Sequence, residues 1–410
     1  MRVKTIAVIS LTLLLFALLA HLAFYFQPKE FSVIQGQAEG QVHKIIAGYI
    51  DGELPSIVLC PTNFTWTTNT IVSAANELGS RAIVNVGYNT IFVVFHHLAN
   101  LDLGFAKSTD AGDTWTVTYP VASGNRGRFP SIDAIDEDTI YISHMLTSTF
   151  FYLQYSKSVN GGTSWTTATV DAAAISGTGG ENSITVVDAN TAYIFYDTGG
   201  AMKMATTTNG GSSWAISTVL SATTSTMSAY AVDANTIFIV FCSPTDNDIT
   251  LAKTTNAGGS WTFTDIDVVT GGCPSSTPSH WSLTVLDENN LIVSYYDTDP
   301  DDLRFAKSTN GGTSWTTSAV DTSGDVGINN SISFADSDNF FIGYHDTGTQ
   351  NVEFARSIDV GTSWTTQIID ATNDDVISLT KTSPDFNTVY GVYGGVGTQN
   401  YLKFIKSSCP

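Results

Sequence analysis

From about residue 65 to the C-terminus, short apolar-rich stretches alternate with polar turns. Residues 182–220 show the unit. Asn182 to Val187 (NSITVV) reads as a first strand, and Asp188 to Thr191 as a turn. Ala192 to Tyr196 (AYIFY) reads as a second strand, and Asp197 to Gly200 as a loop. Met202 to Thr206 (MKMAT) reads as a third strand, and Trp214 to Val219 (WAISTV) as a fourth. The alternation and β-branched content predict half-buried antiparallel strands. Four such strands make one blade of a propeller.

First-strand signals recur near Ala82, Ser131, Ser183, Ser228, Ser282, Ser331 and Ser378, and third-strand signals are equally numerous, ending with Tyr401 to Lys406. The fourth strand of the last unit is missing, because the chain stops at Pro410. Trp66-Thr-Thr-Asn-Thr-Ile-Val matches Trp165-Thr-Thr-Ala-Thr-Val and lies 49 residues before Trp115. The expectation is a single all-β domain over 63–410, a seven-bladed propeller of four-stranded antiparallel blades. Its ring is closed by the N-terminal strand, which leaves no free sheet edge.

Between third and fourth strands stands a repeated turn. Lys307 to Trp315 reads KSTNGGTSW, with related stretches ending at Trp115, Trp165, Trp214, Trp261 and Trp364. The spacings are 50, 49, 47, 54 and 49 residues, as a propeller requires. The side chain of Asp110, Asn160, Asn209, Asn256, Asn310 or Asp359 can accept from the backbone of the turn. The Gly two residues on supplies a position where positive φ costs little. The pattern S-x-D-x-G-x-T-W resembles the Asp-box, or BNR repeat, of sialidase-like β-propellers. That resemblance implies a structural hairpin on the face opposite the ligand site, so it speaks to fold more than to activity.

Composition changes the picture in two places. The formal net charge of −21 argues against nucleic acid as a partner. Arg2 and Lys4 precede an uncharged run of 22 residues, Thr5 to Phe26. The run approaches the ~20 residues that span a bilayer and lacks a clean A-x-A cleavage site. It predicts a signal-anchor over 1–26, with membrane contact through residues 5–26 and a juxtamembrane segment over 27–62. The basic flank places the propeller outside the cytoplasm. Secretion after signal cleavage is the alternative.

Chemistry is expected on the face bearing the second-to-third loops. One set of positions precedes the first strands: Arg81, Pro130, Asn182, Met227, Trp281, Asn330 and Ile377. Trp281 stands off the repeat, where it can stack on a sugar or pack under the loop 267–280. Second strands end in Tyr196-Asp197, Tyr296-Asp297 and His345-Asp346. The expected binding residues are Trp281, Tyr196, Tyr296, His345, Asp197 and Asp346. The three Asp-Thr pairs read equally as Asx turns. Asp297 to Asp302 is acidic enough for Ca²⁺ but lacks the glycine and terminal Glu of an EF-hand, so no cofactor is assigned.

The resemblance to sialidases implies three arginines on a substrate carboxylate, a Tyr–Glu nucleophile pair and an Asp acid. This chain has six arginines: Arg2, Arg81, Arg126, Arg128, Arg304 and Arg356. Arg356 fills the basic position before a repeated turn, as Lys107, Lys157, Lys253 and Lys307 do. The family's catalytic set does not map. Arg81, Arg128, Glu181 and Asp297 are the candidates for catalysis. The sequence favours a non-catalytic recognition module for a glycan or protein. A sialidase-like exo-glycosidase and an assembly or scaffolding factor at a membrane are the alternatives. Cys60, Cys242, Cys273 and Cys409 suit an oxidising compartment. The propeller arrangement predicts the pairs Cys60–Cys409 and Cys242–Cys273.

Overall fold

A computed structural model describes residues 64–408 except 74–77, 88, 98–99, 122–123, 148–149, 176–180, 225, 268–280, 372–373, 380–387 and 396–400. The expected signal-anchor, the juxtamembrane segment, Cys60, Cys273 and Cys409 lie outside the described residues. Among the described residues no helix is long and apolar enough to cross a membrane.

The first strand, β1 (Thr65–Val72), belongs to the last blade. Blade 1 is β2 (Leu78–Val86), β3 (Thr90–His97), β4 (Asp102–Ser108) and β5 (Thr116–Val121). Blade 2 is β6 (Arg126–Ala134), β7 (Thr139–Thr147), β8 (Phe151–Val159) and β9 (Thr166–Ile175). Blade 3 is β10 (Asn182–Val186), β11 (Ala192–Asp197), β12 (Met202–Thr207) and β13 (Ala215–Leu220). Blade 4 is β14 (Met227–Ala231), β15 (Ile237–Cys242), β16 (Ile249–Thr254) and β17 (Thr262–Asp267). Blade 5 is β18 (Trp281–Val285), β19 (Leu291–Asp297), β20 (Asp302–Ser308) and β21 (Thr316–Asp321). Blade 6 is β22 (Val326–Phe334), β23 (Phe340–Asp346), β24 (Asn351–Ser357) and β25 (Thr365–Asp370). Blade 7 is β26 (Asp374–Leu379), β27 (Tyr390–Gly395), β28 (Leu402–Ser408) and, as its outer strand, β1. All seven sheets are antiparallel, and β1 pairs with β28 from Thr65↔Ser408 to Val72↔Leu402. The closure expected from the Trp66 repeat is the one observed.

Three devices join neighbouring blades. The first is a belt of hydroxyls on the inner strands. Ser131 Oγ accepts from Ile184 N at 3.2 Å, Ser183 from Ala229 N at 3.2 Å, and Ser228 from Leu283 N at 3.1 Å. Ser282 and Ser331 continue it to Ile332 N and Leu379 N, at 3.2 and 3.0 Å. This belt explains the recurring first-strand serine, since it meets a backbone donor that the neighbouring sheet leaves open.

The second is the repeated turn. Ser308 Oγ accepts from Gly312 N at 2.9 Å, and Asn310 Oδ1 accepts from Ser314 N at 3.0 Å. Gly312 has φ 82°, and a Cβ there would lie 2.1 Å from Leu251 Cδ2 of blade 4. The turn therefore presses on the preceding blade. Trp165, Trp214 and Trp364 meet Phe105, Tyr155 and Phe305 edge-on at 5.0, 5.3 and 5.2 Å. Trp66 meets Phe354 at 4.8 Å, the same contact at the seam. Lys107, Lys157 and Lys253 donate to the turn carbonyls of Gly161, Gly210 and Gly311 at 3.1, 3.2 and 2.9 Å.

The third device is a hydroxyl–carboxylate clasp. The hydroxyls of Tyr196, Tyr344 and Tyr393 donate to Asp171, Asp321 and Asp370 at 2.7, 2.6 and 2.6 Å. Tyr295 donates to Asp267 in the same way. Each Tyr sits on a second strand, and each Asp ends or nearly ends the fourth strand of the preceding blade. Where that strand ends in Leu220 or Val72, the following blade carries Phe241 or Phe95. The boundary after Val121 is the one exception, since blade 2 carries His144 at the clasp position. The polar and apolar pairs thus change together, as the cost of an unmatched buried polar group demands.

Candidate functional site

The binding residues expected from the sequence divide by role. Tyr196 is fully buried in its clasp with Asp171. Asp197 accepts from Gly199 N at 2.7 Å and from Thr224 N at 2.8 Å, an Asx turn with a tie to the next blade. Burial still pushes its carboxyl up to about 6. Asp346 accepts from Gly348 N at 2.8 Å and Asp297 from Asp299 N at 3.3 Å, so both close the same kind of turn. Asp297 also lies 3.6 Å from Arg304. The Tyr296 hydroxyl donates to Asp301 and Asp325 at 2.7 and 2.8 Å. His345 is buried. Trp281 is 4 % exposed among Phe238, Val240, Cys242 and Leu283, which places it in the packing between blades 4 and 5.

The alignment of the second strands also shifts. Ser183 pairs with Phe195, Ser282 with Ser294 and Ser331 with Gly343, so Tyr196 corresponds to Tyr295 and Tyr344. Tyr296 and His345 occupy the position of Asp197. The blade 3 hairpin is two residues shorter between Tyr196 and Lys203 than between Tyr295 and Arg304, so its turn-closing Asp comes one position earlier. One position on a strand is the opposite face of the sheet.

The residues before the first strands also lie against neighbouring blades. Asn182 accepts from Ser143 Oγ at 2.5 Å, and Asn330 accepts from Ser294 Oγ at 2.5 Å. A Cβ at Gly394 would lie 2.0 Å from an Arg81 nitrogen, so the Arg81 side chain fills the space left by Gly394 of blade 7.

The structure gathers Arg128 and Glu181, two of the residues expected for catalysis, with Arg126 and His96 at the loop end of blades 1 to 3. Arg128 lies between the rings of Phe129 and Phe151, 5.0 and 5.2 Å from their centroids. Its charge acts on both His96 and Glu181. The backbone that brings it there is irregular. Gly127 and Phe129 have φ 96° and 49°, and the pairing of β6 with β7 shifts twice, around Arg128. A left-handed Phe is strained by about 1–3 kcal/mol. It is held by Asn182, whose Nδ2 donates to Phe129 O at 2.7 Å. Asn182 follows Glu181, so the same clamp holds Glu181 within reach of the Arg128 charge.

The electrostatics of this set are unusual for the molecule. Lys203, Arg304 and Lys403 pair with Asp171, Asp267 and Asp370 at 3.7, 3.5 and 2.7 Å. Among the described residues Arg126 and Arg128 enter no ion pair. Arg126 Nε and His96 Nε2 are buried with no hydrogen-bond partner. Burial, then Arg128 and His97, bring the His96 imidazole down to about 4, so it is neutral at physiological pH. Burial and Arg126 hold His144 down to about 3. Burial pushes Glu181 up to about 7 against the opposing pull of Arg128.

This set can bind an anion and can hold or release one proton near neutral pH. The chain shares its fold with solved β-propellers. An ulvan lyase of the PL25 polysaccharide lyases, bound to -[GlcA(1-4)Rha3S]-, is similar at TM-score 0.54 and 10 % identity, over 83 % of this chain and 95 % of that one. A protein of unknown function from Dyadobacter fermentans DSM 18053 is similar at TM-score 0.53 and 12 % identity, over 84 % of this chain and 98 % of that one. An intramolecular trans-sialidase from Ruminococcus gnavus superposes more loosely, at TM-score 0.47 and 13 % identity, over 82 % of this chain and 95 % of that one. No family model and no curated protein matches the chain. Likeness at these identities establishes the fold alone.

Two other features stand apart from this set. Asp246, Asp248 and Asp265 bring carboxylate oxygens within 4.8 Å of one another on blade 4, with no further group pointing to an ion. An open groove of about 590 Å³ runs between Thr116 and Thr118 of β5 and the repeated turn of blade 2. In the acidic stretch Asp297–Asp302, to which no cofactor was assigned, Asp297 lies beside Arg304 and Asp301 accepts from Tyr296.

Proposed function

We propose that this chain is an extracytoplasmic glycan-recognition propeller that takes an anionic saccharide at the loop end of blades 1 to 3. The observation that carries the reading is the pair Arg126 and Arg128, without an ion pair among the described residues of a chain whose net charge is −21. Elsewhere on this face Lys203, Arg304 and Lys403 are neutralised by the clasp aspartates Asp171, Asp267 and Asp370. A guanidinium fork suits the oxygens of a carboxylate or sulfate. The ulvan lyase neighbour, whose bound saccharide contains glucuronate, supports a glycan over a protein ligand. In this reading residues 5–26 anchor the propeller to the membrane.

The test is an array of neutral and acidic glycans probed with the labelled full-length protein. Acidic glycans should bind, with signals that fall as salt is raised. Arg126→Ala/Arg128→Ala should lose at least roughly ten-fold in affinity, the usual worth of a charged contact. Absence of acidic-glycan binding, or binding indifferent to both substitutions, overturns the reading.

A second reading rests on Glu181. A carboxyl brought up to about 7 suits a general acid, so a glycan-cleaving activity follows if the bound saccharide presents its linkage there. Release of reducing ends from an array-positive glycan, abolished by Glu181→Gln, tests it; a fluorogenic sialoside tests the sialidase form.

A further inference from the structure

The groove beside β5 is open because bonds that cross its counterparts are missing. Thr118 stands three residues after Trp115, as Asn69 and Ser318 stand three after Trp66 and Trp315. Asn69 Nδ2 donates to Gly112 O at 2.8 Å and Ser318 Oγ to Gly361 O at 3.4 Å, each across to the turn of the next blade. Between blades 2 and 3 the Tyr155 hydroxyl reaches the turn instead, donating to Gly211 O at 2.7 Å. Between blades 1 and 2 Phe105 holds the place of Tyr155, and Thr118 makes no side-chain hydrogen bond among the described residues. Gly162 O there accepts from Trp165 Nε1 at 3.0 Å, whereas Gly112 O accepts from both Trp115 Nε1 and Asn69. One lone pair of Gly162 O is therefore left towards the groove. Other hydroxyls are untied as well. Thr67, Thr262 and Thr365 bond back to Lys406 O, Lys253 O and Arg356 O at 3.3, 3.3 and 3.4 Å, and Thr313 bonds to Asn310 O at 3.0 Å. Their counterparts here, Thr116 and Thr163, make no such bond among the described residues.

The apolar part of the lining is held in place. The Tyr119 ring is 39 % exposed and meets His97 and Phe95 edge-on, at 5.5 and 6.5 Å. Pro120 continues that wall, and half-buried Trp165 stands across from it. The one charged side chain of the lining, Lys107, is committed to Gly161 O at 3.1 Å. The groove thus presents untied hydroxyls and a carbonyl lone pair beside ring surfaces, with no charge aimed at its contents. A pyranose matches that mixture, with hydroxyls at its edge and C–H groups on its faces. An apolar molecule would strip water from the hydroxyls at a cost. A peptide added as a strand has no reason to choose β5, since every blade has an outer strand, and Pro120 offers it no N–H. The volume of about 590 Å³ lies within the ~300–1,000 Å³ of small-ligand sites. We propose that this groove is a second ligand site, for a neutral saccharide, independent of the anion taken at the loop end.

The test titrates the full-length protein calorimetrically with cellotetraose, xylotetraose, mannotetraose and maltotetraose. At least one should bind, with an affinity indifferent to added salt, because no charge takes part. Thr118→Asn gives β5 the side chain that crosses the equivalent groove from Asn69. It should keep the melting temperature and weaken binding at least roughly ten-fold, the worth of one or two hydrogen bonds. Tyr119→Ala, at an exposed position, should weaken binding as well, and it keeps the test decisive if the Asn variant misfolds. Binding by none of the four sugars, or binding untouched by both substitutions, overturns the assignment. A displayed peptide library that yields ligands lost in Thr118→Asn would give the groove to a peptide and overturn the saccharide. Failure of acidic glycans to bind overturns only the loop-end reading, since Arg126 and Arg128 take no part in the groove.

Discussion

The Tyr196 hydroxyl donates to Asp171 at 2.7 Å, from the second strand of blade 3 to the fourth strand of blade 2. The bond and the burial around it push the phenol well above its ordinary range. Asp171→Leu alone strands a buried hydroxyl and should cost about 1–3 kcal/mol. Tyr196→Phe alone strands the carboxylate, which keeps Lys203 at 3.7 Å. The double variant recreates the Leu220 and Phe241 combination that the next boundary already uses. Urea denaturation of the cycle should show a coupling of roughly 1 kcal/mol or more, and strictly additive losses would dismiss the clasp as a stabilising unit.

Glu181 sets a pH dependence. Its carboxyl stands at about 7 in the folded protein against 4.5 in the unfolded chain. The folded state thus binds the proton more tightly. Stability from this group is fully present below about pH 4.5 and is lost as the pH rises through about 7. After allowance for its partial exposure the loss is on the order of 1–2 kcal/mol. Binding of an anion moves the same way, because an ionised Glu181 competes for Arg128. Denaturation midpoints and glycan affinity measured between about pH 5 and 8 should both fall with pH, and Glu181→Gln should flatten both. A wild-type profile that rises over this range would contradict the assignment.

Gly312→Val should destabilise the protein by about 2–4 kcal/mol, from a β-branched residue at positive φ and from overpacking against Leu251. Binding per folded molecule should be unchanged, since the turn lies at the other end of the blades from Arg128. Thermal denaturation alongside the glycan titration separates the two effects. An unchanged melting temperature would remove the structural account of the repeated turn.

The four cysteines give a covalent test of the ring. Thr65 pairs with Ser408, the residue before Cys409. Cys242 is buried beside Trp281 at the boundary of blades 4 and 5. Peptide mapping without reduction should find Cys60 joined to Cys409 and Cys242 joined to Cys273. The first bond would close a loop of about 350 residues and contribute ~5 kcal/mol by chain entropy. Free thiols or crossed pairs would reject the assignment.

What was legible in the sequence was what repeats. Gly312 and its counterparts announced positive φ, and Trp66 announced the closing strand, because each recurs at a fixed spacing for a local reason. The clasps were also written there, as an Asp at the end of one blade followed by a Tyr in the next. Tyr196 was instead taken for a binding residue, because adjacency between blades is not adjacency in sequence. The Tyr296 and His345 alignment slipped by one, because a hairpin length cannot be read from the Asp that closes it. Arg128 and Glu181 were both legible as candidates, but the geometry that relates them was not. It depends on Phe129 adopting a left-handed backbone that its residue type disfavours and that only Asn182, in another blade, enforces.

The seam between β1 and β28 has a consequence for the order of synthesis. Thr67 bonds Lys406 O across 339 residues of chain. On the ribosome β1 emerges first and waits for nearly the whole polypeptide before its partner exists. Every other outer strand is made directly after the strand it joins. An unpaired strand invites other chains during that delay. Its sequence, TWTTNTIV, meets the interval with exposed threonines at 65, 67, 68 and 70 and only Ile71 fully buried in the finished ring. The last strand delivered to the fold is the first one translated, and its polar face suits it to waiting in water.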